Sequence, residues 1–231
     1  FADEKFKNDI RIVSTAVKDF GFSIKFASEI LRDNKKLALK AIETSGYVIK
    51  YLSKRLKKDQ NIVFSSLKKN AYSLMYANDE YKKNKPFLKK IFNFYLGGAS
   101  FKYIDENLKN NKEIVLSALK TYGYAYNDLS KNNKLRNDKD IINTAIKQIG
   151  YVLKYLEKKY KNNEEIVLNA VKQNGYSLKF ASQRLRSQKK FIIKCVKQSG
   201  YSLLYANSNL KKDYNIVLEA VKNYPLALEY A

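Results

Sequence analysis

Along the chain, short apolar runs alternate with an aromatic string, and both keep one phase. Each Ile/Val/Leu-rich run follows a short polar residue and stops at a glycine or its substitute. In one such run Ile166, Val167, Ala170 and Val171 fall at i, i+1, i+4 and i+5, which is one face of an α-helix. After Gly175 come Tyr176, Leu178, Phe180, Ala181 and Leu185. Tyr176 and Phe180 are i, i+4 neighbours beside a Leu178–Ala181–Leu185 stripe, so the spacing predicts a second helix buried on more than one side.

The pair of runs recurs. The aromatic string begins at Gly21, Gly46, Ala71, Gly98, Gly123, Gly150, Gly175, Gly200 and Pro225, with separations of 25, 25, 27, 25, 27, 25, 25 and 25. The polar residues Asp9, Asn34, Asp59, Asn84, Asn111, Asp138, Asn163, Gln188 and Asp213 share this phase and read as helix N-caps. Pro86 falls in a first helical turn, where a missing N–H costs little. The glycine reads as a C-terminal stop in a left-handed conformation. The second position after it is small throughout, as at Ser73, Ser177 and Ser202, which lets two helices approach closely.

A single unit of this kind cannot bury its own apolar faces, whereas stacked units can. The fold class is therefore all-α, an α-solenoid of about nine two-helix hairpin repeats with a period of about 25 residues. It runs as one continuous array over residues 1–231, with irregular copies expected near 84–98 and 123–138, where the two long spacings fall. Phe1-Ala2 occupies the phase of Tyr205-Ala206 and Tyr230-Ala231, and no polar capping repeat is visible, so the chain reads as a piece of a longer protein.

The stretch Glu164–Leu185, with Gly200–Leu210 and Lys112–Gly123, resembles domain-of-unknown-function family 4116. The resemblance covers nearly the whole chain and is weakest around Phe94–Tyr103. It implies tandem helical repeats within larger proteins of intracellular bacteria, protists and large DNA viruses. It implies no reaction and no catalytic residues.

Composition narrows the chemistry. His is absent and Cys195 is the single cysteine, which excludes Ser-His-Asp and Cys-His relays, imidazole metal sites, intrachain disulfides and thiolate zinc clusters. Cys195 takes the place of the helix alanines Ala170 and Ala220 and reads as a small core residue. No catalytic, cofactor-binding or metal residues are predicted, no cofactor is implied, and no small-molecule substrate is evident. No apolar run reaches the roughly 20 residues of a membrane helix. The free thiol points to an intracellular, reducing compartment: the cytoplasm, a host cell or a virion interior.

The charge does more. Lys+Arg number 45 against 22 Asp+Glu, a formal charge of +23. Lys25, Lys50, Lys102, Lys154 and Lys179 lie four residues after the glycine position. Lys18, Lys68, Lys120, Lys147, Lys172, Lys197 and Lys222 lie three before it. Stacking turns each set into a basic row, and Lys25, Lys50, Lys102, Lys154, Lys179, Lys147, Lys172 and Lys197 are the candidate polyanion-binding residues. The partner read from this is nucleic acid or an acidic protein surface, gripped by a non-catalytic scaffold. The alternative is a protein–protein interaction arm or structural scaffold of a larger effector or viral protein. Against a charge-based function stand the 39 Lys to 6 Arg, a balance that an AT-rich genome favours, and the macrodipole, which by itself accounts for lysines at helix C-termini. The in-phase Tyr and Phe read as a core ladder between repeats with hydroxyls reaching the surface, and Tyr81, Tyr122, Tyr126, Tyr160, Tyr214 and Tyr224 lie off it. The variable residue before the glycine, as at Ser45, Asn70 and Asn174, admits a one-base-per-repeat reading, although interhelical turns vary in any solenoid.

Overall fold

The computed structural model describes residues 3–231; Phe1 and Ala2, whose phase suggested a continuing array, lie outside them. Every described repeat is helical. Two compact units divide the chain, residues 1–122 and 123–231. In each unit the repeat is built from the same parts: a one-turn helix, a longer α-helix and a six- or seven-residue 3-10 helix.

The longer helices are those the caps predict. They include Lys35–Thr44 and Gln60–Lys69 in the first unit, and Lys139–Gln148, Glu164–Gln173 and Lys189–Gln198 in the second. Asn34 accepts from the Leu37 N–H at 3.0 Å, and Asp59 accepts from Asn61 at 3.0 Å and Ile62 at 3.2 Å. Each satisfies orphan donors of the first turn. Gln188 is the exception. It makes no capping bond, and its Oε1 is buried without a partner. The added methylene carries the amide oxygen past the N–H groups that an Asn or Asp side chain reaches.

The predicted core is in place. Ile166, Val167, Ala170 and Val171 are buried, as are Leu178, Ala181 and Leu185. Cys195 is also buried among this set. Fully burying a Leu or Ile contributes about 1.5–3 kcal/mol, and this layer recurs in every internal repeat.

The second helix of the hairpin takes a different form from the one its i, i+4 spacing suggests. It is a 3-10 helix, Gly175–Phe180, that breaks at Ala181 and restarts as the one-turn helix Gln183–Arg186. The break lets the Ser182 N–H donate to the Lys161 carbonyl of the preceding repeat at 2.8 Å. The same bond links Ser53 to Arg32 (3.3 Å), Asn78 to Lys57 (3.1 Å) and Asn207 to Arg186 (2.9 Å). A continuous α-helix would consume these donors internally.

The glycine also has a different role. No glycine has positive φ, and the residue before it, for example Asn174 at φ −157°, ends the long helix in extended conformation. What matters is the missing Cβ. A methyl group on Gly46 would sit on the Ser66 carbonyl oxygen, and one on Gly150 on the Ala170 carbonyl oxygen, both in the next repeat. The freed N–H is used as well: Gly150 donates to Gln173 Oε1 at 2.6 Å and Gly200 to Asn223 Oδ1 at 2.7 Å.

The two long spacings, expected to mark irregular copies, fall between Asn84 and Gly98 and between Gly123 and Asp138. The helix Lys85–Phe92 has eight residues, as has Lys112–Leu119, against ten in the other long helices, and it runs into a turn where Leu96 adopts φ +55°. In the other copy an extra turn at residues 131–132 separates the 3-10 helices Gly123–Asp128 and Lys134–Asn137. There Arg136 donates to the carbonyls of Leu129 (2.9 Å) and Tyr155 (3.2 Å) and lies over the Tyr126 ring.

Two stability outcomes are expected in urea titrations. Gln188→Asn supplies the missing cap and raises stability by about 0.5–2 kcal/mol. Gly150→Ala forces the interface apart and lowers it by about 1–3 kcal/mol. Unchanged midpoints would contradict both assignments.

Candidate polyanion-binding surface

A 3-10 helix has three residues per turn, so side chains at i and i+3 eclipse. The first and fourth residues after the glycine, an aromatic and a lysine in the best-formed copies, are related in this way. Lys154 therefore stands over Tyr151, with Nζ 5.4 Å from the ring centroid and 3.1 Å from the hydroxyl. Lys179 stands over Tyr176 at 5.2 Å, with Nζ–Oη at 3.2 Å. In the first unit Lys25 lies over Phe26 at 4.5 Å, Lys50 over Tyr51 and Tyr76 at 5.6 and 5.8 Å, and Lys102 over Tyr103 at 5.9 Å.

The rings form the predicted ladder between repeats, but they do not lie in the core. The aromatic after one glycine meets the fifth-position aromatic of the next repeat edge to face: Tyr47–Tyr76 at 5.5 Å, Tyr151–Phe180 at 5.0 Å and Tyr176–Tyr205 at 5.2 Å. Most are half-buried, and Tyr72 and Tyr155 are each 39% exposed. The rings stay out of the core for a geometric reason. The third residue after the glycine, as at Ile49, Leu153 and Leu178, already fills the space against the long helices, which leaves the rings on the flank. Of the off-ladder tyrosines, Tyr81 and Tyr126 are buried and Tyr214 is exposed. Tyr81 and Tyr160 donate to the carbonyls of Lys58 (2.6 Å) and Asn137 (3.1 Å) in the preceding repeat.

The ion pairs between repeats lie away from this flank. Carboxylates at the starts of the long helices pair backward with lysines of the preceding repeat, as in Lys35–Asp59 (2.7 Å), Lys89–Glu113 and Lys189–Asp213 (2.5 Å). Among the described residues, none of Lys25, Lys50, Lys102, Lys154 and Lys179 joins an ion pair, and all five are exposed. The hydrogen bond with Tyr151 raises the Lys154 pKa above the ordinary lysine value. Burial does the same for the Tyr205 phenol. At neutral pH Lys154 is thus an ammonium and Tyr205 a neutral phenol.

The second candidate row behaves differently. Lys147, Lys172 and Lys197 occupy the last turns of the long helices, where they complement the dipole. Lys147 and Lys172 come together on a cleft of about 480 Å³ with Asn143, Asn169 and Gln173. Lys197 lies 3.8 Å from Glu219 and is partly neutralised.

A third basic position escaped the sequence reading, although its signal was there: Arg32, Lys57, Lys82, Lys109, Lys161, Arg186 and Lys211 all lie eleven residues after the glycine position. Its purpose is structural. Lys57 donates to the Lys50 carbonyl (2.8 Å), Lys109 to that of Lys102 (3.2 Å) and Lys161 to that of Lys154 (2.7 Å), so each closes the end of a 3-10 helix. Burial lowers the pKa of Lys57 and Lys161. The variable residue before the glycine is also structural in three copies: Ser45, Asn70 and Asn174 cap the 3-10 helices by accepting from Tyr47, Tyr72 and Tyr176 N–H.

These features define a tandem helical-repeat protein. The family model described as Domain of unknown function (DUF4116) matches residues 1–32, 34–82, 84–136, 138–186 and 188–231, and the chain belongs to that family. Each full match holds two of the 25-residue copies and opens at or beside a long-helix cap: Asn34, Asn84, Asp138 or Gln188. No curated protein and no solved structure matches the chain. No helix among the described residues is long and apolar enough to cross a membrane.

Burial pushes the Cys195 thiol up to about 12. The native protein is therefore expected to resist a thiol reagent near neutral pH and to react once per chain in denaturant; fast native labelling would contradict a core assignment.

Proposed function

We propose that this chain is a non-catalytic binding module whose 3-10 flank grips an extended polyanion, nucleic acid first among them. The observation that carries the reading is the set of five lysines, held over half-exposed rings and free of carboxylate partners. Charge supports it in both units: 25 Lys+Arg against 13 Asp+Glu in residues 1–122, and 20 against 9 in residues 123–231. Such a surface draws phosphates by long-range attraction and counterion release. A lysine-rich, arginine-poor surface lacks the bidentate fork of base-edge readers, so the binding is sequence-tolerant. The module is read as non-catalytic: Cys195 lies in the core, and carboxylates such as Asp59, Glu113 and Asp213 serve as caps or ion-pair partners.

A second reading, a protein-interaction arm, draws on one feature of the irregular fourth copy. Tyr95 is 92% exposed and Leu96 is 44% exposed at the end of a shortened helix.

The deciding experiment is fluorescence anisotropy with random single- and double-stranded oligonucleotides across a salt series. Sub-micromolar binding at about 150 mM salt is expected, with log K falling steeply against log salt. Lys154→Gln with Lys179→Gln is expected to weaken binding evenly across sequences and to flatten the slope by about one per lost phosphate contact. Binding confined to low salt would overturn the proposal and favour the interaction arm.

A further inference from the structure

In the second unit the aromatic flank is more than a hydrophobic cover. Beneath it Val152, Leu153, Ser177, Leu178, Ser202 and Leu203 are fully buried, so the interior is closed before the rings are reached. The rings form a second layer in mutual contact. Tyr151 and Tyr176 are nearly parallel, 21° apart in plane and 5.9 Å between centroids. Tyr124 lies 6.3 Å on one side of Tyr151, and on the other the path continues from Tyr176 to Tyr205 at 5.2 Å and from Tyr205 to Tyr201 at 5.9 Å. Lys154 and Lys179 stand over the two parallel rings.

We infer that this ring path is a stacking platform for the bases of single-stranded nucleic acid, with Lys154 and Lys179 paired to its phosphates. The inference rests on the polyanion reading and adds the part of the ligand that meets the rings. A ligand complementary to this flank presents anionic groups and flat π-faces at a spacing of a few ångströms along one flexible chain. Single-stranded DNA or RNA does so. A duplex keeps its bases stacked inside, and a sulfated polysaccharide carries charge without a π-face. Stacking on aromatic side chains is tolerant of sequence, because every base has a π-face, and contributes about 1–3 kcal/mol per base. Lys154 and Lys179 lie over the rings of Tyr151 and Tyr176 and within hydrogen-bond distance of their hydroxyls, so each ammonium swings out to a phosphate as a base takes its place on the ring.

The test compares three ligands on the intact chain at about 150 mM salt: oligothymidylate, an abasic oligomer with the same number of phosphates, and heparin. Stacking predicts that oligothymidylate binds at least about tenfold more tightly than the abasic oligomer, the equivalent of one stacked base. It also predicts that oligothymidylate alone quenches tyrosine emission, which no tryptophan masks in this sequence. Tyr151→Leu with Tyr176→Leu is expected to bring the two oligomer affinities together. If that variant fails to fold, the comparison on the unmodified chain decides alone. Equal, salt-sensitive binding of thymidylate and abasic oligomers would overturn stacking and leave the polyanion reading standing. Absence of binding to all three ligands would overturn both.

Discussion

The architecture depends on one close approach. At the start of most 3-10 helices the backbone comes so near the following long helix that a single methyl group would collide with a carbonyl oxygen, and at Gly175 it would collide with the Ser199 side chain. Gly46 against Ser66 and Gly200 against Ala220 show the same contact in different units. This approach brings the glycine N–H within reach of a side chain at the end of that helix: Thr44, Thr121, Gln173 or Asn223, depending on the repeat. Close contact also confines Leu153, Leu178 and their counterparts, whose dispersion contacts fall away with even a small gap.

A second constraint acts along the other edge. Backbone bonds such as Ser182 to Lys161 tie the start of one short helix to the end of the short helix before it. Side chains reinforce the tie: Ser182 Oγ and Arg184 Nε both donate to Asn162 Oδ1, at 2.7 and 2.8 Å. Held at both edges, the segment between glycine and short helix has too few residues for α-geometry and winds as a 3-10 helix. The lysine–aromatic pairs follow from that tighter winding, which places Lys154 above Tyr151. The surface offered to a ligand is thus a by-product of how the repeats are clamped.

The same geometry sorts the positive charge. Lys57, Lys109 and Lys161 turn inward to close 3-10 helices, and Lys35 and Lys189 answer carboxylates of the next repeat. Most surface ion pairs of this kind contribute little energy, but they decide where uncompensated charge remains. Part of it remains over the rings, and part on lysines such as Lys147 and Lys172 at the ends of the long helices. A net charge counted from composition makes no such distinction between lysines that seal the backbone and lysines left to meet an anion.

The amino-acid sequence alone determined the period, the long helices with their Asp and Asn caps, and the buried set typified by Ile166, Val167 and Leu178, because these follow from local capping chemistry and helical spacing. Several features were decided only by the packed structure. The glycine serves contact rather than left-handed turning, and the second helix divides into a 3-10 helix and a single turn. Tyr151, Tyr176 and Phe180, whose i, i+4 spacing suggested a core ladder, line a flank with lysines above them. Gln188 shares the cap phase yet forms no cap. In the first three cases the deciding partner lies about one repeat away in sequence, at the Ala170 carbonyl, the Lys161 carbonyl or the neighbouring ring, and a contact made only when repeats stack leaves no mark in the local periodicity of either; the Gln188 cap fails through the length of its own side chain.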